Sequence, residues 1–123
     1  MISNPDFDKD SFIDIVMKDS RYNPNAYAFL MMVLEKLSAD RVALNAKSIM
    51  EGFRALAIDL WGPMAYFVLN ELGVKRCEDI GEMMFNLCDS GRIGGAKGHE
   101  RESYADGYDF EEEFKRPYDC PED

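Results

Sequence analysis

The spacing of apolar residues along the chain is typical of a mainly α-helical protein. In five successive stretches apolar side chains recur three and four residues apart, which places them on one face of a helix. Residues that start or stop helices separate these stretches. The pattern predicts a first helix from Asp8 or Asp10 to about Lys18, followed by helices over residues 24–37, 45–61, 63–72 and 78–90.

Local chemistry marks several of these helix boundaries. Asn23 can accept a hydrogen bond from an unpaired amide at a helix start, and Pro24 suits the first helical position. The pair Gly62–Pro63 stops the third helix and lets the next one begin. Gly73 can end the fourth helix in a left-handed conformation, and Val74 can pack back on that helix.

The apolar faces predict which sides of the helices are buried. The middle of the second helix, residues 27–34, is apolar on every side, which is typical of a helix enclosed by others or lying at a homo-oligomer interface. The third helix carries a single stripe, formed by Ile49, Phe53, Leu56, Ala57 and Leu60. The stripe of the fifth is formed by Ile80, Met83, Met84, Leu87 and Cys88.

The last quarter of the chain has a different pattern. Residues 92–93 suit a short strand that leads into a glycine-rich hairpin tip over residues 94–98, and Asp106-Gly107 offers a second turn. A final helical turn over residues 110–115 would align Phe110, Phe114 and Tyr118 as a clamp. The expected fold is a mainly α, compact five-helix domain, with a small C-terminal β-hairpin and a winged-helix-like order. Residues 1–123 form one domain, and residues 94–123 are an acidic hairpin and tail packed on or trailing from the helical core.

Composition agrees with an ordered, water-soluble domain. The 123 residues are 46% hydrophobic, enough to build a core without disulfides. The longest apolar run, residues 26–34, is too short to span a bilayer. The N-terminus has no basic region followed by an apolar stretch, so we expect no secretory signal and a cytoplasmic location. The three cysteines, Cys77, Cys88 and Cys120, contain no closely spaced pair and are expected to be reduced thiols.

Charge is spread unevenly along the chain. The net charge is −10, and residues 96–123 hold 10 acidic but only 4 basic side chains. Such a field repels nucleic acid phosphates and anionic lipids, and it favours a partner protein with a basic surface. The sequence therefore disfavours binding to nucleic acids and membranes.

The outer face of the fifth helix is the predicted contact surface. With its apolar stripe turned inward, this helix presents Glu78, Glu82 and Asp89 around Phe85. In a winged helix the same face would read DNA, and carboxylates there face phosphates. A DNA-binding regulator remains an alternative only with a basic face assembled from Lys75, Arg76, Arg92, Lys97 and Arg101.

Candidate catalytic chemistry is sparse. An enzyme is a further alternative, using scattered carboxylates and Arg54, with Asp59 or Glu51 as acid–base partners. The spacing of Glu51 and Arg54 is more typical of a surface ion pair. His99 is the only histidine, and the chain shows no metal-ligand spacing, so no metal or cofactor is expected. Cys77 lies at the start of the fifth helix, where the helix dipole lowers a thiol pKa, although Glu78 and Asp79 oppose that effect.

Four groups of residues together carry a family resemblance. They are Arg21-Tyr22 with Ala26-Tyr27-Ala28-Phe29; Glu51-Gly52-Phe53-Arg54-Ala55-Leu56-Ala57 with Gly62-Pro63-Met64-Ala65; Glu78-Asp79-Ile80-Gly81-Glu82 with Phe85-Asn86-Leu87; and Tyr108-Asp109-Phe110 with Phe114. In this order they resemble a bacterial family of conserved small proteins of unknown function. The resemblance implies a shared fold, and it implies no mechanism. The sequence thus favours a non-catalytic protein–protein interaction module with an acidic contact surface.

Overall fold

Five α-helices joined by short turns make up most of the structure. A computed structural model of the chain describes residues 13–90, 101–105 and 107–115. The predicted N-terminal caps Asp8 and Asp10 lie outside these residues. The helices are α1 (Ile13–Lys18), α2 (Pro24–Ala39), α3 (Ala46–Trp61), α4 (Ala65–Leu72) and α5 (Cys77–Asp89), with 3₁₀ turns at Gly62–Met64 and Arg101–Tyr104 and a π-helical turn at Glu111–Lys115.

The predicted cap of α2 is confirmed, and α3 begins next to Asn45, where the sequence predicts its start. Asn23 accepts a hydrogen bond from the amide of Asn25 at 2.9 Å, with Pro24 as the first helical residue. Asn45 caps α3 and exchanges hydrogen bonds with Ser48 in a capping box. Each of these contacts satisfies an amide that has no partner within its own helix, so side-chain chemistry determines where the helix begins.

The core forms where α2 packs against α3. α2 is enclosed, as predicted, with seven of its residues buried. The ring of Phe29 on α2 meets Phe53 of α3 edge to face at 4.9 Å and lies 4.8 Å from the ring of Trp61. The prediction that Leu60 faces the core is wrong: Leu60 is exposed, because Trp61 takes the core-facing position at the end of α3. Of the helices in the part of the chain that the structure describes, none is long and apolar enough to cross a membrane.

The predicted C-terminal β-hairpin, and with it the winged-helix-like order, is wrong. Residues 13–90, 101–105 and 107–115 contain no β-strand. After α5, residues 101–105 and 107–115, which we call the C-terminal segment, form two short helical turns. Tyr104, Phe110 and Phe114 of this segment are buried in the helical core. An isolated hairpin is at best marginally stable, whereas each buried aromatic ring removes a large apolar area from water. Packing of the C-terminal segment on the core is therefore the more stable arrangement.

Part of the predicted aromatic clamp is confirmed. The rings of Phe110 and Phe114 lie 4.9 Å apart, and Tyr108 meets Phe114 at 5.9 Å. The hydroxyl of Tyr108 donates a hydrogen bond of 2.7 Å to the carbonyl oxygen of Met50 on α3. Tyr118, the third predicted member, and the predicted strand and tip over residues 92–98 lie outside the described residues. The described acidic turn is therefore packed on the core rather than trailing from it.

Tyr104 joins the C-terminal segment to α5 through a close approach. Its ring lies on Gly81, where a Cβ atom would come within 2.8 Å of a ring carbon. Glycine at this position therefore lets an aromatic ring approach the backbone of α5 closely. The same contact fixes the orientation of α5, whose apolar residues Ile80, Met83 and Met84 are buried.

Candidate functional site

The outer face of α5 carries the four residues that the sequence predicts as a contact surface. We call Glu78, Glu82, Phe85 and Asp89 the acidic face. Glu78 and Asp89 are exposed and Glu82 is half-buried. The side chain of Phe85 lies between these carboxylates along the helix and is 44% exposed. The exposed ring and the carboxylates around it make up the candidate binding surface that the sequence predicts.

Basic residues near the α1–α2 turn reduce the negative charge of the acidic face. Lys18 lies 3.5 Å from a carboxylate oxygen of Asp89, and Arg21 lies 3.3 Å from one of Glu82. The pair of Lys18 and Asp89 is largely exposed to water, so it contributes little to stability. Glu78 has no ion-pair partner among the residues that the structure describes. Its carboxylate is therefore the group on this face most available to a cation.

A hydrogen-bonded network fixes the α1–α2 turn against α5. Asp19 accepts two hydrogen bonds from the guanidinium of Arg21, at 2.8 and 2.6 Å. It accepts a third from the side-chain amide of Asn86, at 3.0 Å. Asn86 also donates to the hydroxyl of Tyr27 at 3.0 Å. The hydrogen bonds from Arg21 hold the pKa of Asp19 well below its usual range, with a smaller contribution from Asn86 and with burial acting in the opposite direction.

This network predicts a pH-dependent contribution of Asp19 to stability. Because its folded-state pKa is lowered, the contribution is fully present above the ordinary aspartate pKa of about 3.9 and is lost as the pH falls from there through the folded-state value. We expect Asp19→Asn to lower the free energy of unfolding at neutral pH by about 1–2 kcal/mol. Urea unfolding of both proteins over a pH series should show the difference shrinking in acid.

Asp40→Asn is the matched control for Asp19→Asn. The carboxylate of Asp40 forms an exposed ion pair with Lys36 at 3.6 Å, so we expect a change of less than about 0.5 kcal/mol. A difference between wild type and Asp19→Asn that is independent of pH would contradict the assignment.

A cleft opens beside the start of α5, between the α1–α2 turn and the α4–α5 turn. The hydroxyl of Tyr22 donates a hydrogen bond of 2.6 Å to one oxygen of Asp79, and the amide of Lys75 donates one of 2.9 Å to the other. Burial, followed by the bond to Asp79, raises the pKa of Tyr22. The cleft has a volume of about 440 Å³ and is lined by Arg21, Tyr22, Gly73, Lys75, Arg76 and Asp79.

Sequence reasoning missed this cleft because its two sides are far apart along the chain. Tyr22 and Asp79 meet only when the α1–α2 turn packs on the start of α5. The only available signal was that Arg21-Tyr22 and Glu78-Asp79 both belong to the residues that carry the family resemblance. Shared membership of a motif set does not say that two stretches touch.

The basic face required for a DNA-binding regulator is only partly described. Lys75 and Arg76 lie at the cleft, where Arg21 joins them. Arg92 and Lys97 lie outside the described residues, and the side chain of Arg101 is likewise not among them. Since the predicted wing is also wrong, the observed fold lends this alternative no support.

Arg54 forms an ion pair with the C-terminal segment. Of its two predicted acid–base partners, Glu51 lies beside it and Asp59 does not. Its guanidinium lies 3.1 Å from Glu51 and 3.7 Å from Glu113 of the π-helical turn. Asp59 is exposed, and a separation of five residues along α3 rotates it by about 140° from Arg54. Arg54 therefore ties α3 to the C-terminal segment, a link that the sequence pattern did not predict.

The thiol of Cys77 is not activated. Cys77 is the first residue of α5 and is buried, and this burial raises its pKa to about 11. The thiol lies 3.5 Å from the carbonyl oxygen of Tyr108. Desolvation thus outweighs the effect of the helix dipole, and the thiol is protonated at neutral pH. Cys77 and Cys88 are free thiols, as predicted; Cys120 and His99 lie outside the described residues.

Neither metal chemistry nor similarity to known proteins adds to these sites. Within the described residues, no group of three or more histidine, cysteine, aspartate or glutamate side chains is arranged to hold a metal ion. Comparison of the chain with known protein families, with curated proteins and with solved structures found no match. The family resemblance therefore stays a prediction.

Proposed function

We propose that the protein is a non-catalytic interaction module that binds a basic, amphipathic segment of a partner protein on the acidic face of α5. The observation that carries this proposal is the exposure of Phe85 among Glu78, Glu82 and Asp89. An aromatic ring surrounded by carboxylates fits a partner that offers an apolar pocket or side chain beside lysine or arginine residues.

The two kinds of side chain on this face have different tasks. Burying the ring of Phe85 supplies apolar contact area, and aromatic residues at the centre of an interface often carry much of its binding energy. The carboxylates attract a basic partner and fix its orientation, which affects the association rate more than the affinity. The net charge of −10 extends this attraction beyond the contact itself.

Helix α1 can extend the surface. Ile13 and Met17 lie one turn apart on α1, and both are exposed. The ion pair between Lys18 and Asp89 joins α1 to α5. A partner helix longer than the acidic face can therefore contact apolar side chains on α1 as well.

A peptide titration followed by NMR tests the proposal. The probe is a synthetic amphipathic peptide with lysine on one face and leucine on the other, and the control probe contains lysine without leucine. We expect saturable shifts at the amides of α5 around Phe85 with the amphipathic peptide only. Glu78→Lys and Phe85→Ala should each weaken binding by about tenfold, which corresponds to about 1.4 kcal/mol.

The chain offers a matched control for each variant. Glu71→Lys makes the same charge change on α4, and Phe67→Ala removes another exposed ring. Glu78 is preferred to Glu82 because reversing Glu82 would also disturb Arg21. Equal weakening by Glu78→Lys and Glu71→Lys would mean that total charge, rather than the acidic face, attracts the peptide, and the proposal would then be wrong.

A further inference from the structure

We infer that the cleft at the start of α5 is a second binding site, which takes a phosphate dianion, either free or as the phosphoryl group of a small molecule. Three cationic side chains line this cleft, namely Arg21, Lys75 and Arg76, in a protein whose net charge is −10. The inference does not depend on the proposed function, because Lys75 and Arg76 take no part in the acidic face.

Two of the three cations are available to a ligand. Lys75 and Arg76 are exposed, and neither has a carboxylate partner among the residues that the structure describes. Arg21 is held in place by Asp19, and its guanidinium carbon lies 5.1 Å from the centre of the Tyr22 ring. The site thus combines one fixed guanidinium with two side chains that can close on an anion.

The carboxylates beside the cleft are already engaged. Both oxygens of Asp79 accept hydrogen bonds, one from Tyr22 and the other from the amide of Lys75. Asp19 and Glu82 both pair with Arg21. Their negative charges reduce the affinity for an anion, but their oxygens do not compete for Lys75 and Arg76 through direct contacts.

The charge and the shape of the cleft favour phosphate. A guanidinium can donate two parallel hydrogen bonds to a phosphoryl group, and an ammonium adds a point charge, so a dianion gains from several cations at once. Arg76 precedes α5 in an extended conformation and makes no side-chain cap to the helix. The positive end of the helix dipole adds to the field of the side chains. A volume of about 440 Å³ is within the range of small-molecule sites.

Titration of the full chain with inorganic phosphate, followed by NMR, tests the inference. Sodium chloride at matched ionic strength is the reference. We expect saturable shifts at the amides of Lys75, Arg76 and Cys77 and at the Arg21 side chain. Lys75→Ala and Arg76→Ala should each weaken binding by about tenfold, and Lys47→Ala, which changes an exposed lysine on α3, should leave it unchanged.

A second titration, with the phosphate monoester glycerol 3-phosphate, separates the two sources of the dianion. Tighter saturation by the ester assigns the cleft to a phosphorylated small molecule, and equal or weaker binding assigns it to free phosphate. Shifts that do not saturate, that chloride reproduces, or that survive Lys75→Ala and Arg76→Ala would overturn the inference. All these substitutions are at exposed side chains, and circular dichroism verifies that each variant is folded.

Discussion

Gly73→Ala is expected to destabilise the protein by about 3 kcal/mol or more, because two penalties act at one position. Gly73 ends α4 in the left-handed region, with a φ of 93°. A Cβ atom there would also collide with the carbonyl oxygen of Arg21, a backbone atom of the α1–α2 turn. That turn is held in place by the hydrogen bond from the amide of Asn23 to the carbonyl oxygen of Leu72, so it cannot move away freely.

Gly62→Ala separates the two penalties. Gly62 also has a positive φ, 51°, but no atom lies within 4 Å of a Cβ built on it. With a ψ of −126° Gly62 lies outside the left-handed helical region, so we expect Gly62→Ala to cost a backbone penalty of about 1–3 kcal/mol without a collision. Urea unfolding followed by circular dichroism measures both variants. A loss of no more than about 1 kcal/mol for Gly73→Ala, the cost of the left-handed conformation alone, would show that the α4–α5 turn does not pack against Arg21, and the geometry of the cleft would then be wrong.

Phe114→Ala is expected to cost about 3–5 kcal/mol, the usual range for removing a fully buried aromatic ring. Phe114 is completely buried and contacts the rings of Tyr108 and Phe110. The loss would loosen the C-terminal segment from α3 and α4. Fluorescence of Trp61, the single tryptophan, reports unfolding of the α2–α3 core because its ring lies against Phe29.

Phe67→Ala is the matched control for Phe114→Ala. Phe67 is 52% exposed on α4, and we expect a cost below about 1 kcal/mol. Hydrogen exchange should also show faster amide exchange in the C-terminal segment of Phe114→Ala than in that of Phe67→Ala. Similar stabilities for these two variants would mean that the segment is not docked in solution.

Helix boundaries were predictable because the interactions that set them are local. Asn23 caps α2 through an amide two residues away, and Gly73 ends α4 through its own backbone conformation. The apolar stripe of α5 was equally readable, since Met83, Met84 and Leu87 face the core by helical periodicity alone. The same periodicity placed Glu78 and Phe85 on the opposite side, where the structure has them.

The C-terminal segment shows where local reasoning fails. A glycine-rich run followed by alternating polar and aromatic residues suits a hairpin as well as a docked irregular chain. The choice depends on whether the core offers a surface for Tyr104, Phe110 and Phe114, and that surface is built by helices distant in sequence. Leu60 was misplaced for a similar reason, because only packing decides that Trp61 rather than Leu60 meets Phe29.

By itself, the sequence determined the helical content, most helix boundaries and the two faces of α5, because capping and periodicity act within a few residues. Only the tertiary structure decided how charges combine. It placed Lys18 and Arg21 beside Asp89 and Glu82, and it left Glu78 as the carboxylate of the acidic face most available to a cation. It also gathered Arg21, Lys75 and Arg76 around one cleft. Electrostatic contacts depend on distance in space, and sequence separation does not reveal that distance.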